Sequence, residues 1–189
     1  YPCKQPRTVP TEYALCTFHR PSNVDALEDL RRTFELIEAL SAQIPVLFPC
    51  HPRTMKQSKQ RDLYKNLLRL ANVWVLPSLS YSEMIALMLQ AKLVVTDSGG
   101  LQEETTFLQV PCLTFRKNTE RPATLIYGTN RLLADFDLNG LRRYLSAILS
   151  GDNPKGRIPP LWDGLAAERI VYVLKQNQHK ELSCSKITL

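Results

Sequence analysis

The chain lacks most features that assign a protein to a class at once, and each absence excludes something. No apolar run reaches the roughly 20 residues that cross a bilayer. The opening stretch YPCKQPRTVP has no apolar centre of the kind a secretory signal carries. The expectation is a soluble, cytoplasmic chain without a membrane partner. Five cysteines (Cys3, Cys16, Cys50, Cys112, Cys184) are scattered, odd in number and free of CxxC spacing, so no disulfide framework or zinc motif is written in them. Three lie in apolar, strand-like runs, which favours buried thiols over disulfides or metal ligands. His19 and His51 have no third ligand at metal-like spacing, and arginines beside them oppose a cation. No metal is expected, and no internal repeat is visible.

A strongly one-signed charge is also missing. The net charge is +6, but Lys4 and Arg7 at one end, with Lys175, Lys180 and Lys186 against Glu181 at the other, supply four of the six. A denser run, Arg53, Lys56, Lys59, Arg61, Lys65 and Arg69, falls along one expected helix with Leu63, Leu67 and Leu70 as its buried stripe. A solvated helix face is favoured over a nucleic-acid surface, because no aromatic residues interleave to stack on bases.

What is present is a regular alternation. At 189 residues and 44% hydrophobic, one domain can bury a core of ordinary size. Strands are expected at 13–18, 45–49, 73–76, 92–96, 111–115 and 131–134. Helices are expected from Asp25, where Glu28 makes a capping-box-like start, to about Ser41, and at 56–71, 81–91, 99–108, 121–128, 138–150 and 163–178. Strands that alternate with helices across short connections imply a parallel sheet covered on both faces, a Rossmann-like doubly wound α/β fold. Ligands of such sheets bind beyond the carboxyl ends of the strands. That singles out the loops at His19-Arg20, His51-Pro52-Arg53, Asp97–Gly100 and Arg116–Arg121.

Of these, TDSGGLQEE (96–104) is the most suggestive. Two glycines at a helix start let the backbone approach a ligand, and the free amides with the helix dipole attract an anion. Ser98 adds a hydroxyl. A nucleotide pyrophosphate fits such a turn; a tight strand-to-helix corner that holds nothing fits it equally. Glu103 and Glu104 are explained either by the macrodipole or by vicinal ribose hydroxyls. Two histidines at strand ends, each followed by Arg within two residues, tell more together than either does alone.

TFHRPSN (17–23), FPCHPRT (48–54), TDSGGLQEE (96–104), TERP (119–122), YGTN (127–130) and WDGLAAERI (162–170) occur in order. Together they resemble the non-hydrolysing UDP-N-acetylglucosamine 2-epimerases over roughly residues 11–175. The likeness is to the C-terminal half of that family's two-domain GT-B fold. It implies residues 1–10 as linker, 11–178 as the UDP-binding domain and 179–189 as a flexible tail. By the same resemblance, Ser98, Gly99 and Gly100 hold phosphate, Glu104 holds ribose, and Arg116 and Arg121, with Thr119 and Glu120, line the sugar and phosphate side. His19 lies by the diphosphate as the catalytic residue that helps UDP leave, and Arg20 and His51 match contacts to an effector UDP-N-acetylglucosamine. Three positions depart from the family pattern, namely Pro21, Ala123 and Ala134, each toward sugar or effector contacts.

The implied reaction removes the proton at carbon 2 of the sugar and expels UDP, then re-adds UDP with a proton on the opposite face. It interconverts UDP-N-acetylglucosamine and UDP-N-acetylmannosamine without a cofactor. The carboxylates for carbon 2 come from the family's first domain, so this chain is expected to bind UDP but to be inactive alone, with a missing domain supplied in cis or in trans and a homodimer at full length. The alternatives are the donor domain of a GT-B glycosyltransferase and a non-catalytic UDP-sugar binding module.

Overall fold

The structure, a computed structural model, describes residues 9–184, with side chains to residue 177. Most of the expected linker (1–10) and the side chains of the expected tail (179–189) therefore lie outside the described residues. The chain divides into two compact units, one ending at Arg157 and one beginning at Ile158.

The first unit alternates as the pattern predicts. It runs β1 (Ala14–Thr17), α1 (Pro21–Val24), α2 (Leu27–Ser41), β2 (Val46–Pro49), α3 (Pro52–Gln60), α4 (Tyr64–Arg69), β3 (Val73–Leu76), α5 (Tyr81–Gln90), β4 (Leu93–Thr96), α6 (Gly99–Leu108), β5 (Cys112–Thr114), α7 (Pro122–Ile126), β6 (Asn130–Leu132) and α8 (Leu138–Leu149). The strands form one sheet in the order β3-β2-β1-β4-β5-β6, and every pairing is parallel.

Successive strand residues point to opposite faces, and the two faces bury separate cores. Ala14, Cys16, Val46, Phe48, Leu93 and Val95 join Leu30, Ile37, Leu40 and Leu67, with Leu141 and Leu145 of α8, on one side. Leu15, Leu47, Val94 and Cys112 meet Met88 and the partly buried Leu101 and Leu108 on the other. This two-sided burial is why the strands read as short, continuous apolar runs rather than as alternating ones. Cys16, Cys50 and Cys112 are all buried.

Two local expectations are corrected. No side chain caps α2; Asp25 instead receives a forked ion pair from Arg53, at 2.9 and 2.6 Å. A bidentate guanidinium outcompetes a helix cap for that carboxylate. The single helix expected at 56–71 is broken between α3 and α4, where Asp62 takes a left-handed backbone with φ 58°. Leu67 is fully buried even so, and Leu63 and Leu70 pack beside it. The basic run is thereby divided between two short helices.

The second unit contains α9 (Ala166–Cys184). Asp163 receives the guanidinium of Arg169 and the amide of Leu165, which fixes the start of this helix and gives WDGLAAER a structural reason. Ile170, Val171, Tyr172, Val173 and Leu174 are all exposed. No helix among the described residues is long and apolar enough to cross a membrane.

Candidate functional site at the carboxyl ends of β1 and β4

The sheet order places the site. From β1 the chain continues to β2 on one side, and from β4 to β5 on the other. The two strands are neighbours whose following loops diverge, and the crevice between such loops is where doubly wound sheets bind ligands.

Asp97, directly after β4, is the hub of this crevice. Its side chain is wholly buried, yet it accepts the amides of His19 at 3.1 Å and Arg20 at 2.9 Å, and the side-chain amide of Asn23 at 2.9 Å. His19 Nδ1 lies 3.2 Å from Oδ1, and Arg20 Nε donates to the Asp97 carbonyl at 3.1 Å. Burial by itself raises the Asp97 pKa. The bonds from His19, the Arg20 amide and Asn23 outweigh that and hold it below the usual carboxylate range.

His51, after β2, brings its ring to 5.1 Å from that of His19. Its Nδ1 accepts the Arg53 amide at 3.1 Å, capping α3. Burial lowers the pKa of His51, and nearby His19 and Arg53 lower it further against the pull of Asp97.

Ser98 caps α6 by accepting the Leu101 amide, which sets Gly99 and Gly100 at the helix start. Neither glycine has positive φ, so neither is needed for backbone freedom. They differ in surroundings. A Cβ on Gly99 would stand 2.7 Å from Glu120 Oε1, whereas a Cβ on Gly100 would meet nothing nearer than 3.9 Å. Gly99 therefore makes room for Glu120. Nothing in the fold demands glycine at position 100, an exposed spot where the backbone stays open to a ligand.

Glu120 bridges Arg20 Nη2 at 3.0 Å and Arg116 Nη2 at 2.6 Å. The hydrogen bond from Arg116 is the main reason its pKa falls to about 2. Arg116 is largely buried and its Nη1 has no acceptor among the described residues. Arg121 turns elsewhere and pairs with Glu103 at 3.4 Å. Glu104 has no ion-pair partner among the described residues; burial and then its neighbour Glu103 raise its pKa.

Beneath these groups runs a buried polar network that sequence reasoning does not find. Gln102 donates to the Ser98 carbonyl and accepts from Thr119 and Asn130; Asn130 in turn bonds Thr114 and Thr124. This ties the start of α6 to the loop before α7 and to β6, so TDSGGLQ, TERP and YGTN are one structural unit. Pro21 occupies the first position of α1, where a missing N–H is no loss. Ala134 precedes two consecutive left-handed residues, Asp135 and Phe136. Among the described residues, no cluster of His, Cys, Asp and Glu is arranged to hold a metal ion.

The structure thus brings together His19, Arg20, His51, Ser98, Gly99, Gly100 and Arg116 around the ends of β1, β2, β4 and β5. Arg121 and Glu104 stand on the α6–α7 side. Asp97, Asn23 and Gln102 lie within the quoted motifs but are the members to which the sequence assigns no role. Their signal is weak, because each is an ordinary polar residue whose partners lie far along the chain.

The family model for UDP-N-acetylglucosamine 2-epimerase matches residues 3–175. A curated UDP-N-acetylglucosamine 2-epimerase of Methanocaldococcus jannaschii is 36% identical over 172 residues, covering 89% of this chain and 46% of the relative. A UDP-2,3-diacetamido-2,3-dideoxy-D-glucuronate 2-epimerase of Pseudomonas aeruginosa is 38% identical over 147 residues, 74% of this chain and 39% of the relative. Among solved structures, the M. jannaschii UDP-GlcNAc 2-epimerase in complex with UDP-GlcNAc and UDP superposes with a TM-score of 0.78 at 35% identity, over 87% of this chain and 45% of that one. The chain spans about half the length of the relatives it matches. Its ordered motifs, its sheet and these matches agree, and the chain belongs to the UDP-N-acetylglucosamine 2-epimerase family.

Proposed function

We propose that this chain is the UDP-binding half of a two-domain, GT-B-type UDP-N-acetylglucosamine 2-epimerase. Residues 11–178 form the functional domain, and the whole enzyme works in the cytoplasm as a homodimer. The observation that carries the reading is the start of α6. Ser98 and an open Gly100 sit at the strand-order switch, with Arg20 and Arg116 held beside Gly99 by Glu120. Backbone amides, helix dipole and the Arg116 guanidinium suit a diphosphate. The unsatisfied Nη1 of Arg116 supports an anion arriving there. Glu104, without a cation to neutralise it among the described residues, is suited to accept ribose hydroxyls, and Arg121 lines the same side through Glu103.

In this reading His19 stabilises the UDP leaving group as the sugar loses its carbon-2 proton, then assists the reverse addition. Arg20 and His51 face an effector nucleotide-sugar. The carboxylates that act at carbon 2 come from the other half of the enzyme, so this chain by itself does not turn over substrate.

Calorimetric titration with UDP and UDP-N-acetylglucosamine, alongside Ser98→Ala and Glu104→Ala, tests the proposal. Weak UDP binding that both variants abolish, with no UDP-N-acetylmannosamine formed, is the expected result. Absence of binding at millimolar ligand sinks it. A second reading keeps the nucleotide and changes the sugar, favoured by 38% identity to the diacetamido-glucuronate epimerase. Titrating the full two-domain protein with both sugars separates the two.

A further inference from the structure

Two imidazoles share the crevice, and the groups behind them differ. His51 accepts the Arg53 amide at Nδ1, so its neutral ring carries hydrogen at Nε2. His19 has a carboxylate at Nδ1, and the hydrogen belongs on the nitrogen that faces an acceptor. Asp97 is wholly buried and already satisfied by two backbone amides and the Asn23 side chain. Those bonds are enough to fasten the loop, so the added contact to the ring is what sets this residue apart from a simple clamp.

We infer that Asp97 is the positioning residue for His19: its carboxylate takes the Nδ1–H and leaves Nε2 as the ring nitrogen that meets the leaving phosphate oxygen. The inference rests on the UDP reading above only for the identity of that oxygen. The arrangement assigns different work to two similar histidines. His19, backed by a fixed negative charge, can carry a proton at Nε2 toward developing charge and return it. His51, with an amide at Nδ1, stays a neutral donor. Asn23 fixes the carboxylate from its other side and so belongs to the same device.

The test is a long-range proton–nitrogen correlation spectrum of the labelled chain, with His19 signals identified by their loss in His19→Gln. The expected result is an Nδ1–H tautomer for His19 and an Nε2–H tautomer for His51. In Asp97→Asn the amide donates to Nδ1, so His19 becomes a neutral Nε2–H ring whose doubly protonated form no carboxylate supports, and UDP binds about tenfold more weakly, because a charge-assisted hydrogen bond to phosphate becomes a neutral one. An Nε2–H or mixed ring in the unmodified chain overturns the inference, as does an Nδ1–H ring unchanged by Asp97→Asn. Where that variant does not fold, the unmodified chain still decides: a downfield, slowly exchanging Nδ1 proton on His19 supports the assignment, and its absence overturns it. Added UDP is expected to move His19 Nε2; UDP that binds without moving it overturns the role at phosphate. If UDP does not bind at all, the functional reading fails, while the tautomer still decides what Asp97 does.

Discussion

Two loops of this molecule look alike in sequence and are put to different use. After β1 the chain reads His19-Arg20, and after β2 it reads His51-Pro52-Arg53. In the first, histidine and arginine both turn to Asp97, a buried residue 78 positions away. In the second, the histidine caps its own helix and the arginine reaches an exposed Asp25. The difference follows from place in the sheet. The loop after β1 has β4 as its neighbour across the strand-order switch, so a residue at the end of β4 can lie under it. The loop after β2 has β3 on its outer side, whose end offers Leu76 and Pro77 and no acid. A histidine followed by an arginine is thus gathered onto a buried carboxylate only where topology supplies that third group.

The sharpest way to break the comparison is to remove each loop's acid. Asp97→Ala leaves two amides, Asn23 and His19 without their acceptor in a buried setting, and should cost about 3–5 kcal/mol of folding stability, read from urea unfolding. The matching Asp25→Ala change should shift the urea midpoint far less, because the Arg53 fork is exposed and water replaces it. Equal losses for the two would mean that the loops do not differ as described.

Gly99 and Gly100 sharpen the contrast from the ligand side. Gly99→Ala drives a methyl against Glu120 and disturbs the Arg20–Glu120–Arg116 bridge, so both stability and UDP affinity should fall. Gly100→Ala has room and should keep or slightly raise stability, since helix positions prefer alanine. Its UDP affinity should nevertheless fall about tenfold or more, because one tenfold step is only about 1.4 kcal/mol and a methyl bars the backbone from phosphate. Calorimetry and urea melts of both variants decide this.

How much of this was legible in the sequence depends on the distance over which each decision is made. The alternation of strands and helices is local, and α6 begins and ends as its glycines and apolar spacing imply. That alternation also singles out the loops of the crevice, through the rule that ligands bind beyond the carboxyl ends of the strands, and the six motifs add expected roles for their residues. The capping role expected of Asp25 failed because its actual partner, Arg53, is 28 residues on. The break at Asp62 was missed because a charged residue in left-handed backbone carries no glycine to announce it. Asp97 lay inside the singled-out loop without a role, since only the pairing of β1 with β4 shows which group it serves. Gln102, just ahead of two glutamates, has nothing local to distinguish it, although its bonds to Ser98, Thr119 and Asn130 join three of the motifs.

The smallest expected effect separates the two loops by pH. Asp97 has a folded pKa below its unfolded value, so the unfolded chain binds its proton first as pH falls; its contribution is full above about pH 4, the ordinary carboxylate value, and is lost below that. His51 also has a lowered folded pKa, so it too favours folding at higher pH. Its contribution is present above about 6.5, the ordinary histidine value, and is lost as pH falls through the lower folded value. Stability plotted against pH should therefore descend in two limbs, a shallow one starting near neutrality and a steeper one in acid. His51→Gln should flatten the first limb and leave the second, because glutamine can still accept the Arg53 amide but has no proton to gain. A shallow limb that survives His51→Gln would assign it to another group and remove the electrostatic half of the comparison, while leaving the hydrogen bonds that distinguish the two loops in place.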